Sequence, residues 1–138
     1  MSQRPLGFTL MVDPPTTTAQ MKRLRVVNGK PVFFHGKRML LQATAWSWAL
    51  TQHRPHSPLL GPLSLTLDLD YPHTKQSAKI GHPIRKVTRP DVDGAAKHFI
   101  DTMQRMGFFE DDSQISELTI RKWHDANPKI RVLLQPCL

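Results

Sequence analysis

The sequence predicts an α/β chain of the α+β kind, with one mixed β-sheet of about five to six strands flanked by two main helices. Three observations carry this. Leu63, Leu65, Leu67 and Leu69 alternate with Ser64, Thr66, Asp68 and Asp70, the period of a half-buried strand. Two other segments, around Trp46 and Phe99, repeat apolar residues every three or four positions, as a helix with one buried stripe does. The segments run strand, hairpin, helix, strand, helix, strand, strand, an order that lays two helices on a mixed sheet. At 138 residues, 1–138 reads as a single domain.

Phe8, Leu10 and Val12 alternate with Thr9 and Met11, predicting a first strand over 7–12 that Pro14-Pro15 stops. Residues 25–27 and 31–34 then flank Asn28-Gly29, a dipeptide that tolerates positive φ at both turn positions and so favours a tight hairpin. From Lys37 to about Gln52, Met39, Ala43, Trp46 and Leu50 mark one helical stripe. After the leucine strand, residues 71–90 hold Lys75, Lys79, Arg85, Lys86 and Arg89 with no acid and no periodicity, which predicts a mobile basic loop. Ala96, Phe99, Ile100 and Met103 mark a second helix over 94–106, closed by Gly107 where a left-handed residue is wanted. Two strands follow, about 114–123 and 129–135. Ile115 and Leu118 share a face in the first only if a bulge lies near Ser116-Glu117.

Charge is unevenly placed. The formal total is +8, but residues 1–90 carry 13 Lys/Arg against Asp13, Asp68 and Asp70, a balance of +10, whereas 91–138 carry 6 Lys/Arg against 8 Asp/Glu, a balance of −2. A basic body with an acidic focus suits a protein that holds a polyanion and sets cations against it. Lys22, Arg23 and Arg25 join the basic loop as DNA-binding candidates. No apolar run approaches a membrane span, and the start lacks the apolar stretch of a secretory signal. Cys137 is the lone cysteine, so neither an internal disulfide nor a multi-thiolate zinc site can form. The expected compartment is the cytoplasm.

Asp91-Val92-Asp93 sets two carboxylates at i and i+2, Lys97 follows one helical turn later, and Glu110-Asp111-Asp112 comes directly after the helix. If the chain reverses beyond Gly107, five carboxylates can approach one another, a cluster that repels itself unless a cation neutralises it. Oxygen donors without His or Cys point to Mg²⁺ or Mn²⁺, and such a site suits phosphodiester hydrolysis. The ordinary alternative stays open: Asp93 as a helix cap, Lys97 as its ion-pair partner and 110–112 as an acidic surface turn.

Arg89-Pro90-Asp91-Val92-Asp93-Gly94-Ala95-Ala96-Lys97, then Asp101, then Gly107-Phe108-Phe109-Glu110-Asp111-Asp112-Ser113-Gln114-Ile115, resembles the signature of the RusA family of Holliday junction resolvases. In that family an Asp-x-Asp-Asn-x-x-Lys segment opens a helix, and an aromatic-x-Asp-Asp-x-Gln-Val/Ile segment follows it. The strong match covers about residues 88–123. The resemblance implies a RusA-like fold, Asp91, Asp93 and Asp112 as catalytic acids that bind Mg²⁺, Lys97 as the catalytic lysine, and Asp111 and Asp101 as supporting acids. It also implies a homodimer that cuts a four-way DNA junction symmetrically, residence in phages or prophages, and no small-molecule cofactor. Gly94 stands where the family has Asn, so the local geometry departs there.

Rival readings fail on particular residues. A Pro-Asp…(Asp/Glu)-x-Lys nuclease begins well at Pro90-Asp91, but no later acid has Lys two places on. Counted from Asp91, a calcium loop would place Gly94 at position four and Thr102 at position twelve, where Gly is wanted at six and Glu at twelve. No zinc-hydrolase or phosphate-loop motif occurs. A non-catalytic DNA-binding module explains the basic charge and leaves the acids unexplained. Trp46 belongs to the helical stripe and reads as core, whereas Trp48 points elsewhere and stays open, an interface being one reading.

Overall fold

The leucine row organises the molecule. In the computed structural model, which describes residues 3–16, 23–34 and 36–137, Leu63, Leu65, Leu67 and Leu69 are each fully buried in the strand β4 (Leu63–Pro72). The elements around it are β1 (Leu6–Leu10), the hairpin strands β2 (Arg23–Val27) and β3 (Lys30–Phe34), α1 (Lys37–Thr51), the short α2 (Lys75–Ala78), β5 (Ile84–Arg85), α3 (Val92–Arg105), β6 (Ile115–Asp125) and β7 (Lys129–Pro136). Five strands form one mixed sheet in the order β1-β7-β4-β6-β5, while β2 and β3 pair only with each other. β4 runs parallel to β6 and antiparallel to β7, so α3 is the crossover joining two parallel strands.

The stripe of α3 packs on the leucine row as its spacing predicts, and that of α1 does so through Trp46 and Leu50, while Met39 and Ala43 lie outside this core. Trp46 and Leu50 of α1 and Phe99 and Met103 of α3 are buried against the leucines, with Trp46 edge-on to Phe99 at 5.5 Å between ring centres. The indole N–H of Trp46 donates to the carbonyl of Asp13 at 2.9 Å, satisfying the one polar atom the ring carries inward. Trp48, on the other side of α1, is 76% exposed.

The alternate residues of β4 form a layer of charge. Arg121 donates to Asp68 at 2.6 and 2.9 Å, and the Trp123 indole adds a third bond at 2.8 Å. Asp70, with no exposed surface, receives Arg131 at 3.0 and 3.1 Å and lies 3.4 Å from Lys129, which also pairs with Asp125 at 2.8 Å.

Leu63 lies opposite Ile115 and Ser64 opposite Glu117, which leaves Ser116 as the extra residue of a bulge and puts Ile115 and Leu118 on one face. Asn28 (φ 51°) and Gly29 (φ 74°) make the expected hairpin turn, and Gly107 closes α3 at φ 88°. The first strand begins and ends earlier than 7–12, because its five pairs with β7 run from Leu6 to Leu10. Residues 71–90 are not the irregular loop expected. A capping box at Thr74 starts α2, and β5 pairs with His124 and Trp123 of β6, contacts too far along the chain for local pattern to register. Among the described residues, no helix is long and apolar enough to cross a membrane.

Candidate active site

Burial of Ala96, Phe99, Ile100 and Met103 fixes the rotation of α3 and turns Asp93, Lys97 and Asp101 outward at every fourth position. At 1.5 Å per residue this stripe runs about 12 Å along the helix. The Lys97 ammonium lies 3.7 Å from Asp101 and 3.9 Å from Asp112. All three side chains are 39% exposed or more, so the pairs hold little stability, about 0–1 kcal/mol each. Their value is in placing charge.

Two glutamines set the acidic turn against the helix. Gln104, on α3, accepts the backbone N–H of Asp112 at 2.8 Å. Gln114 accepts from the N–H groups of Glu110 and Asp111 at 2.9 and 3.0 Å, and its amide donates to the carbonyls of Leu59 and Gly61 at 3.0 and 3.1 Å. The turn is thereby stapled to the approach to β4. The Asp111 carboxylate caps the single 3-10 turn Asp112–Gln114 by accepting from the N–H of Ser113, and the backbone and side-chain bonds of Ser113 hold its pKa below the ordinary value.

Asp93, Lys97 and Asp112 line one cleft of about 320 Å³ whose apolar wall is Ala96, Ile100, Ile115, Leu118 and Ile120. Asp91 is the N-cap of α3. Its carbonyl accepts the N–H of Ala95 at 3.0 Å, but its side chain makes no capping bond. Asp91 and Asp93 are exposed, and neither side chain has a hydrogen bond or ion pair among the described residues. The expectation that five carboxylates converge needs correction: among the described residues, no three His, Cys, Asp or Glu stand close enough together to hold a metal ion. The crossover is the reason. With β6 parallel to β4, the acidic turn meets Lys97 and Gln104 along the body of α3, whereas Asp91 stays at its N-terminal end.

The basic candidates divide. Lys75, Lys79, Arg85 and Arg89 are exposed on the segment that runs from β4 to Asp91, with the Arg85 guanidinium 4.0 Å above the centre of the Trp123 ring. Lys86 donates to the Thr88 hydroxyl at 2.7 Å, and burial followed by the charge of Lys122 pushes its pKa below the ordinary lysine value. Lys22 lies outside the described residues, and Arg23 and Arg25 belong to β2 with their side chains outside what is described. Sequence reasoning missed Gln104 and Lys122. Lys122 did carry a signal, since it falls in the row Leu118, Ile120, Lys122, His124, where an apolar residue is expected.

Comparison with known proteins gives two kinds of match. The family model described as endodeoxyribonuclease RusA matches residues 14–135. A crossover junction endodeoxyribonuclease rusA of Lactococcus phage r1t is 26% identical over 125 residues, covering 91% of this chain and 93% of that protein. An uncharacterized protein, YqaN of Bacillus subtilis (strain 168), is 29% identical over 94 residues, 62% of this chain and 65% of that protein, so the match spans just under two thirds of the relative's length.

Proposed function

The chain belongs to the RusA family of endodeoxyribonucleases, and from that premise we propose that it resolves four-way DNA junctions by Mg²⁺-dependent hydrolysis of one phosphodiester bond in each of two opposed strands. The observation that carries the reading is the cleft in which Asp93, Lys97 and Asp112 meet, directly after a basic segment in the chain. Its donors are carboxylate oxygens, the set a hard divalent cation prefers. Mg²⁺ is commonly held by one or two carboxylates, with water and substrate phosphate completing its shell, so two acids in one cleft fit it and Mn²⁺ could substitute. Asp93 and Asp112 would hold the ion, with Asp91 the further acid at the helix start. An ion held there supplies Lewis acidity toward a phosphodiester oxygen.

The chain's own groups account for the rest. Lys97, drawn to the cleft by Asp112, presents an ammonium where charge builds on the phosphoryl oxygens. Lys75, Lys79, Arg85, Lys86 and Arg89 draw the phosphate backbone toward the start of α3. Because two strands must be cut within one complex, the working unit in this reading is a homodimer with one site in each subunit.

An end-labelled four-way junction and a linear duplex of matching sequence, each incubated with Mg²⁺ or EDTA, test the reading. Symmetric nicks are expected on the junction alone and only with Mg²⁺. Equal cutting of the linear duplex would make the protein a general nuclease, and binding without cutting would make it a DNA-binding module. Sedimentation showing only monomer while paired cutting persists would exclude the dimer.

A further inference from the structure

Lys122 occupies a position in β6 that packing alone would give to an apolar residue. Two residues before it, Ile120 lines the cleft together with Ala96 and Ile100 of α3, and two residues after it His124 is buried. By the alternation of a strand, Lys122 points to the same side as both. Its ammonium donates to the carbonyl of Thr88 at 2.8 Å and to that of Pro90 at 2.6 Å, and its own backbone carbonyl accepts the N–H of Lys86 at 3.0 Å.

These three bonds take up where a strand pair stops. β5 pairs with β6 only through Ile84 with His124 and Arg85 with Trp123. Beyond it, Lys122 grips residues 86, 88 and 90, first with its backbone and then with its side chain. A charged donor bonds a carbonyl roughly twice as strongly as a neutral one, and three N–H groups on one nitrogen can serve two carbonyls at once. Pro90 carries the last carbonyl before Asp91, and Asp91 already accepts the first helical N–H, from Ala95.

We propose that Lys122 is a positioning residue for cleavage: by bridging the Thr88 and Pro90 carbonyls it fixes where α3 begins, and with it the directions of Asp91 and Asp93. This rests on the reading that those acids act in cleavage. Lys122 need not touch DNA or metal for it.

The test uses the full chain with Lys122→Met, which keeps the stem and removes the ammonium, and Lys122→Arg, which restores a charged donor. Lys122→Gln replaces the Met variant if that one does not fold. In metal-free protein, amide hydrogen exchange over residues 86–95 is expected to quicken in Lys122→Met, with β4 and β7 protected as in the parent and the effect partly reversed in Lys122→Arg. Single-turnover junction cleavage should fall roughly 10- to 100-fold, with more Mg²⁺ needed for half-maximal rate, while junction affinity in EDTA stays unchanged. Unchanged exchange over 86–95 overturns the proposal. So does a fall in cleavage that only matches a fall in junction affinity, which would make Lys122 a phosphate-binding residue. Asp93→Asn run in parallel tests the underlying reading by itself: full cleavage by that variant removes the acids' role, and this proposal with it, whatever Lys122 does to exchange.

Discussion

Asp68 and Asp70 on β4 have the same i, i+2 spacing as Asp91 and Asp93 at the start of α3, yet the fold gives the two pairs opposite surroundings. Asp68 and Asp70 are 7% and 0% exposed and are met by Arg121, Trp123, Arg131 and Lys129 within hydrogen-bond or ion-pair distance. Asp91 and Asp93 are exposed, without a fixed cation of their own among the described residues. An acid whose partners are built into neighbouring strands is committed to holding those strands together. An acid with no built-in partner holds no strand in place, and its charge stays open to solvent. The contrast in surroundings distinguishes the two pairs more sharply than the motif does, since both read as Asp-x-Asp.

The largest effect that could break the contrast is on cleavage. Asp93→Asn and Asp112→Asn should lower single-turnover junction cleavage by about three orders of magnitude, the several kcal/mol that removal of a metal ligand takes from transition-state stabilisation. Melting should hardly move, within about 0.5 kcal/mol, because neither side chain supports the core. Junction affinity in EDTA should hold or rise, since each change removes a negative charge facing phosphate. Lys97→Ala should also lose cleavage but still bind Mg²⁺ by calorimetry, because an ammonium is not a ligand. A large loss of stability in Asp93→Asn would put it in the same class as Asp70.

Asp70→Ala is the reciprocal case. It strands the charges of Arg131 and Lys129 and should cost about 3 kcal/mol or more of unfolding free energy in denaturant titration. Cleavage by the fraction that remains folded should match the parent. If stability holds, the ion network on the sheet contributes nothing and the contrast fails.

A smaller effect concerns the basic segment. Neutralising Lys75 and Lys79 together should reduce the slope of log affinity against log salt by about one for each phosphate that these lysines neutralise, with α3 and its acids undisturbed. An unchanged slope would take both lysines off the DNA and leave Lys22, Arg23 and Arg25 as the remaining basic cluster.

The smallest effect is on acid stability. Burial raises the pKa of Asp68, but the bonds from Arg121 and Trp123 and the charges of Arg121 and Arg131 together outweigh it, so the net shift is below the ordinary 3.8. Asp125 is likewise lowered, first by its bond from Lys129. A carboxyl depressed in the folded state contributes stability that is present above its unfolded pKa and is lost as pH falls through the folded one. Unfolding free energy should therefore be level in these terms down to about pH 5 and decline below about pH 4. Asp68→Asn should show a shallower decline; an identical acid limb would mean that Asp68 is not among the groups responsible.

What could be read in the sequence was whatever repeats locally. Leu63 to Leu69 announced β4, Trp46 and Phe99 announced the helices, and the clash of Ile115 with Leu118 announced the bulge at Ser116. The residues around Asp91, Lys97 and Asp112 announced the family. Long-range pairing stayed hidden. Nothing near Asp68 says that Arg121, 53 residues on, will bind it. The segment 71–90 looked irregular because its order comes from β6, through Trp123 and Lys122. Gln114 was visible as a motif letter, but its role in tying the acidic turn to Leu59 and Gly61 needs one stretch of chain whose two carbonyls lie 55 and 53 residues away. The convergence expected of the acids failed for the same reason, since whether β6 would run parallel or antiparallel to β4 is not written in either strand.

The position of β7 between β1 and β4 bears on how the chain reaches its active form. β1 and β4 do not touch as strands; β7 zips to both, residue 134 meeting residue 6 on one side and residue 65 on the other. Most of the sheet therefore depends on pairings between distant parts of the chain, the kind that must close large loops before they give any return and that fold slowly. Until β6 has docked beside α3, the cleft lacks the wall that Ile115, Leu118 and Ile120 supply. Half-folded chains would then carry the basic charge that attracts DNA without the assembled means to cut it.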